Sequence, residues 1–406
     1  MALTDAFLDL TPVRTRLYRR LWLGQTASGL GSQLAVVAVL YQVWDATGNP
    51  VWTGAVGMAQ ALPLMVFGLF AGSLVDRRDR RRIYLVAKVG QAVCSLLLAY
   101  QAFFLDLPVV GLLAIVALQG CFGAVSAPAA RTFLPLLLPP EQLAAGLALA
   151  RIGFQSAMLV GPALGGLVVG TWGVGVCYAV DAVTFCAALY GAFGLPAMQP
   201  EGTASRPGLR GVFDGLAFLV RAPVVRAAFV TDLAATVLAM PISLFPLVNA
   251  ERFGNDPRTL GLFLSAIAVG GVAASVLSGL FTRRHRQGVV MLVGATAWGG
   301  ALTAFALAPN PWLGLGCLVV AGAADTASVV SRSTIVQLTT PNELLGRVAA
   351  AEQIVGQAGP EVGNLRGGLV AGATTGTFAL TSGGLTCVVV VVLIWTVTPR
   401  LRSFRV

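Results

Sequence analysis

A chain of 406 residues has one lysine, Lys88, and one histidine, His285. Lys88 sits in VAKVG, so there is no G-x-x-x-x-G-K-[ST] loop to cradle a nucleotide phosphate, and ATP hydrolysis by that route is excluded. A lone histidine in a loop excludes a histidine-based metal cluster. The six cysteines, Cys94, Cys121, Cys177, Cys186, Cys317 and Cys387, lie in apolar runs without C-x-x-C spacing and read as small core residues, neither disulfides nor metal ligands. Charge is also scarce, at 11% of residues against the roughly 25% of an ordinary soluble domain. The longest polar stretch is the short segment around QPEGTASRPGLR, too little to clothe a large soluble core. No metal or cofactor is expected.

What fills the chain is apolar: 56% of residues are hydrophobic and the mean hydropathy is +0.81. A helix of about 20 apolar residues spans the ~30 Å hydrocarbon core. About twelve such runs are read, over 21–44, 52–75, 83–104, 108–129, 145–170, 173–195, 225–250, 259–281, 288–308, 311–331, 348–372 and 376–398. None alternates like a barrel strand, so the expected fold is an all-α membrane protein in the lipid bilayer. No short apolar segment with a small-residue cleavage site is read at the N-terminus, so no removed signal peptide is expected.

Arginine placement sets the orientation. Arg14, Arg16, Arg19, Arg20, the run Arg77 to Arg82, Arg206, Arg210, Arg283, Arg284, Arg286, Arg347, Arg400, Arg402 and Arg405 fall at the N-terminus or in every second connection. The other loops hold Arg252 and Arg258. By the positive-inside rule both termini are cytoplasmic, in the cytoplasmic (inner or plasma) membrane. Trp44, Trp52, Trp172 and Trp312 fall at outer ends of spans and Trp22 and Trp395 at inner ends, as interfacial belts. The net charge of +10 is then a basic cytoplasmic face, and no nucleic acid partner is inferred.

The halves repeat. LVDRRDRR (74–81) aligns with LFTRRHRQ (280–287) at an offset of 206, and ARTFLPLLLPPEQL (130–143) with SRSTIVQLTTPNEL (331–344) at an offset of 201, bringing Arg131 onto Arg332. GPALGG (161–166) returns as GPEVGN (359–364). The order of the matches indicates a duplicated six-span unit: an N-terminal bundle over 1–198, a linker with an interfacial helix over 199–222, and a C-terminal bundle over 223–406. Two parallel six-helix halves are the arrangement of rocking secondary transporters, with the substrate site near the midplane between them.

GSLVDRRDRRRI, between the second and third spans, resembles the signature loop of the major facilitator superfamily, G-x-L-a-D-r-x-G-r-[rk]. Gly72, Leu74, Asp76, Arg77, Arg80 and Arg81 match, while Asp79 stands at the pattern's glycine, where an aspartate tolerates a left-handed conformation. The resemblance implies a cytoplasmic gate formed by Asp76, Arg77 and Arg80. Gly161, Pro162, Gly165 and Gly166 resemble the core of the antiporter motif of drug exporters, with Ala148 and Ala157 at its upstream glycines, implying outward transport and a tight, bendable seam. That pattern's arginine in the fourth span is Val116 here. RLWLGQTASGLGSQLAVVAVLYQVWDATG, YAVDAVTF, RSTIVQLTTPNELLGRV and GPEVGNLRGG resemble the enterobactin-exporter-like branch, whose members often carry Gly-Asp-x-Arg where this chain has Gly363, Asn364, Leu365 and Arg366.

The expected function is secondary active export of a small lipophilic or siderophore-like molecule, coupled to protons. A general multidrug or macrolide efflux pump, and a non-transporting sensor or scaffold, are the alternatives; an enzyme would need a convergent nucleophile and base that the sequence lacks. Interior carboxylates are the coupling candidates: Asp232, Asp325, Glu352 and Glu361, with Asp181 read as a structural partner. At ~100° per residue Gln353, Gln357, Glu361 and Asn364 share one stripe, and Gly356, Gly359, Gly363 and Gly367 another with Arg366, which is read as architectural. Gln25 and Gln33, with Gly29 and Ser32, offer a neutral polar face in the first span.

Overall fold

The computed structural model describes residues 9–75, 78–198, 217–282, 284–341 and 344–404, and no strand occurs among them. The long helices are α1 (Arg16–Thr47), α2 (Pro50–Val75), α3 (Arg80–Phe104), α4 (Val109–Arg131), α5 (Pro140–Trp172) and α6 (Val174–Phe193). After the linker come α7 (Pro223–Leu233), α8 (Phe245–Arg252), α9 (Pro257–Val276), α10 (Gln287–Leu307), α11 (Pro311–Thr339), α12 (Leu345–Ala373) and α13 (Gly376–Val397). Among the described residues eleven segments are long and apolar enough to cross a membrane, α7 and α8 counting as one. The twelfth is α12, with 29 residues, which holds Arg347, Glu352, Glu361 and Arg366 and is correspondingly less apolar. Among the described residues the protein is an all-α membrane protein, with twelve helical segments of spanning length.

Local chemistry starts these helices. Asp256 accepts from the Arg258 N–H at 2.9 Å and Asn310 from Leu313 at 2.9 Å, each followed by a proline at the first helical position. A side-chain acceptor satisfies an orphan donor there, and proline has none to satisfy. Gly173, at φ +83°, makes the turn from α5 to α6 in a conformation other residues rarely adopt.

Packing divides the chain into two units, one of Met1–Val39 with Leu62–Ala204, the other of Leu40–Ala61 with Ser205–Val406. The division falls at Ala204 inside the linker read from sequence, and the end of α1 and start of α2 belong to the second unit. In the first unit α3 packs on α4 and α6; in the second α10 packs on α11 and α13, the same pairing one repeat later. α9 and α11 meet through Gly270, against the Val319 carbonyl, and Gly322, against that of Ile267. Phe245, Phe263 and Phe305 meet edge to face or tilted, with centroids 5.2–5.6 Å apart, in the second core.

The outward faces are apolar. On α3, Val86, Val89, Val93, Leu96 and Tyr100 are exposed while Ser95 and Gln101 are buried, the reverse of a soluble helix. Lipid rather than water surrounds the bundle, so polar groups turn inward.

One reading changes. The seventh span is not one helix: α7 gives way to a π-helix over Ala234–Leu238, then to a 3-10 turn over Ile242–Leu244. Pro241 cannot donate a backbone bond, which ends the helix. Asp79 has φ −57° and caps α3, accepting from Arg81 at 3.0 Å and also from the Met198 N–H at 3.1 Å. The interfacial helix lies mostly outside the described residues; in its last turn Leu219 packs with Val225, Phe229, Val336 and Val348.

Candidate functional site

The stretch GPEVGNLRGG lies in α12 and seats against the interrupted span. Gly363 faces the Thr236 carbonyl, Gly359 the Thr236 hydroxyl and Gly367 the Leu244 side chain, so the glycine stripe lets the two backbones approach closely. Helix interruption frees backbone groups that must be satisfied at membrane depth. The Arg366 guanidinium donates to the Leu238 carbonyl at 2.6 Å. Asn364 accepts from the Ser243 N–H at 3.1 Å, and its own carbonyl accepts from the Ser243 hydroxyl at 2.7 Å. The Asn364 amide nitrogen Nδ2 donates to Glu361 Oε2 at 3.0 Å. Glu361 also faces Gly57 of α2, where a Cβ would collide with its carboxylate, and Thr53 donates to the Ser243 carbonyl at 2.8 Å. The rest of the stripe differs: Gln357 is exposed, and the Gln353 side chain lies outside the described residues.

A second charged group sits in the same unit. Arg332 of α11 pairs with Asp232 of α7 and reaches Glu352 of α12 at 3.5 Å. Ser333 donates to Glu352 at 3.4 Å, and the guanidinium lies 5.7 Å from the Phe229 ring centre. Asp325 is partly buried one stretch earlier on α11, close enough to act electrostatically on both Asp232 and Arg332. Asp232 does not continue a polar stripe to Ser243, because the interruption intervenes; Thr236 bonds the Asp232 carbonyl at 2.9 Å instead. Arg131, the repeat partner of Arg332, is the last residue of α4 and exposed.

In the first unit Asp181 is fully buried and accepts from Ser95 at 2.6 Å and from Ser32 and Gln119 at 3.4 Å each. The bonds tie α6 to α1, α3 and α4. Lys88 of α3, unassigned by sequence reasoning, lies 4.8 Å from the Phe185 ring centre and within electrostatic reach of Asp181. Its isolation inside an apolar run was the available signal.

The antiporter-like residues form a seam between α5 and α1. Gly161, Pro162, Gly165 and Gly166 are buried. A Cβ on Gly165 would lie 3.0 Å from the Leu34 Cα, and Gly161 faces Gln33. Ala157 faces Gly29, and Gln33 donates to the Met158 sulfur at 3.0 Å. Gln25 faces the Tyr84 hydroxyl. Trp22, read as an interfacial residue, donates inward to the Leu149 carbonyl at 2.8 Å. Of the residues that the signature-loop resemblance implies as a gate, Asp76 and Arg77 lie outside the described residues. Gly72 is in the last turns of α2, and Arg80 opens α3 with its N–H on the Met198 carbonyl at 3.2 Å.

Residues 8–404 match the family described as transmembrane secretion effector. The chain is 29% identical over 360 residues to the multidrug efflux pump Tap of Mycolicibacterium fortuitum, covering 85% of this chain and 87% of that protein. It is 27% identical over 405 residues to the enterobactin exporter EntS of Escherichia coli, covering 98% and 96%. Solved structures with the same fold include the nucleoside transporter NupG, at TM-score 0.74 and 15% identity over 94% of this chain and 98% of that one. A bacterial homologue of the iron transporter ferroportin in its inward-facing state has TM-score 0.73 and 15% identity over 96% and 99%. A match over nearly the whole length places the chain in the transmembrane secretion effector family, a transporter family of the major facilitator superfamily.

Proposed function

We propose that the chain exports a small lipophilic or siderophore-like molecule across the cytoplasmic membrane by alternating access, driven by protons. The observation that carries this reading is the interruption of the seventh span beside Glu361. Broken helices at membrane depth line substrate and ion sites, because their free backbone groups are tolerated only against protein or a water-filled space. Glu361 serves there as a proton exchanger or as the counter-charge of cationic cargo, with Asp232 and Asp325 as further coupling groups. Gln353, Gln357, Gln25 and Gln33 supply neutral polar contacts. Asp76, Arg77, Arg80 and Gly72 form the cytoplasmic gate, the Gly161–Gly166 seam bends, and Arg366 and Asp181 hold the bundles.

Comparison of the metabolites and siderophores of cells with and without the gene tests this. Loss of one compound from the medium with its rise inside mutant cells is expected. The reverse change would mean import, and no change would sink export of a native metabolite. Similarity to a multidrug efflux pump favours a second reading, export of varied lipophilic drugs; deletion would then raise sensitivity to several unrelated compounds without altering any secreted metabolite.

A further inference from the structure

In the second unit two carboxylates share one guanidinium, and a third lies within electrostatic reach of it. Arg332 precedes the end of α11 at Thr339 by seven residues, Asp232 follows the start of α7 at Pro223 by nine, and Glu352 follows the start of α12 at Leu345 by seven. At ~1.5 Å per residue, all three leave their helices about 10–14 Å from the ends that the arginine pattern assigns to the cytoplasm. Arg332 and Asp232 are both nearly buried, at 7% and 9% exposure. Arg332 thus ties α11 to α7 through Asp232 and to α12 through Glu352. Asp325, seven residues before Arg332 on α11, lies within electrostatic reach of Asp232 and Arg332. Among the described residues the charged groups bearing on this cluster are these four, joined by the Ser333 hydroxyl and the Phe229 ring.

A guanidinium keeps its proton. One such cation cannot balance three acids, and charge uncompensated at membrane depth is costly. The balance therefore falls to protons. Asp232 is also two residues before the π-helix at Ala234, so whatever holds it holds the entry to the interruption.

We propose that the Asp232, Asp325 and Glu352 carboxylates around Arg332 take up a coupling proton in addition to the one exchanged at Glu361, and that this proton acts by displacing Arg332 from Asp232. This rests on the reading of the chain as a proton-driven exporter. A proton from the aqueous phase bonds to a carboxylate oxygen of Asp232 and cancels its charge. Arg332 then loses its partner on α7, keeps Glu352 on α12, and gains Asp325 as an alternative. The broken span is released from α11 while α12 stays tied. Loss of the proton to the cytoplasm restores the Asp232 pair. No other bond is made or broken.

The full-length protein in liposomes tests this with the lipophilic cation ethidium as probe. Asp232→Asn and Glu352→Gln should lower accumulation driven by a pH gradient on the order of tenfold more than they lower ethidium exchange at equal pH. Asp232→Asn combined with Arg332→Gln and Glu352→Gln, which removes both ion pairs together, should behave like the single carboxylate variants. In parallel, infrared spectra of the wild type at acid pH should show a protonated-carboxyl band that Asp232→Asn reduces. Exchange and accumulation falling together would mean a merely structural role and overturn the proposal, as would gradient-driven accumulation equal to wild type. If the wild type itself fails to accumulate ethidium, proton-driven export of this probe fails, and the infrared band still decides the site: a band unchanged by Asp232→Asn overturns it.

Discussion

The Arg366 guanidinium and the Leu238 carbonyl, 128 residues apart in sequence, meet at 2.6 Å where the seventh span breaks. Charge at membrane depth here closes a gap in a neighbouring helix. Arg366→Ala strands that acceptor, a loss of about 1–3 kcal/mol. The purified variant should unfold at lower temperature, with less protein in the membrane. Unchanged thermal unfolding would mean that the carbonyl finds its donor elsewhere.

Asn364 and Glu361 form a donor–acceptor pair at 3.0 Å, while the other end of the Asn364 amide accepts from Ser243. Asn364→Asp keeps the Ser243 bond, removes the donor to Glu361 and sets two acids together, at a cost of about 1–3 kcal/mol. Adding Glu361→Gln returns an amide donor to the pair and should recover most of that stability, in a double-mutant cycle read by thermal unfolding. Additive losses would break the pairing.

Glu361→Gln alone still accepts from Asn364 and should be expressed and folded like the wild type. Uphill, gradient-driven export should be lost, because the amide neither carries charge nor exchanges a proton under these conditions. Wild-type export against a gradient would remove Glu361 from the coupling role.

Gly165 leaves no space for a side chain, with the Leu34 backbone 3.0–3.1 Å from any Cβ built there. Gly165→Val forces α5 from α1 and should cost about 1–3 kcal/mol, as overpacking does. Transport should fall with stability. A fully active, equally stable variant would show the seam to be looser than its geometry.

Orientation is tested by labelling. A cysteine at Arg206 or Arg284 should resist an impermeant maleimide applied outside intact cells, and one at Arg258 should react, as the positive-inside pattern requires. The opposite result would invert the protein.

Much of this was written in local sequence. Apolar run length marked the spans other than α12, because the bilayer demands a set length and internal backbone bonding. The repeats and the glycine stripe of α12 were legible as spacing, and the Asn310–Pro311 and Asp256–Pro257 starts as capping chemistry. The interruption had a local signal too, in Pro241 within an apolar run, but its extent over 234–244 did not. That depended on which distant groups could satisfy the freed backbone, and Ser243, Asn364 and Arg366 supply those bonds only after α12 is seated. Tertiary structure alone likewise decided that Arg332 pairs with Asp232 and Glu352, since three charges spread over 121 residues of sequence, 232 to 352, share an environment only once their helices pack. A helix period determines which face a side chain takes, and the neighbour on that face determines what the charge does.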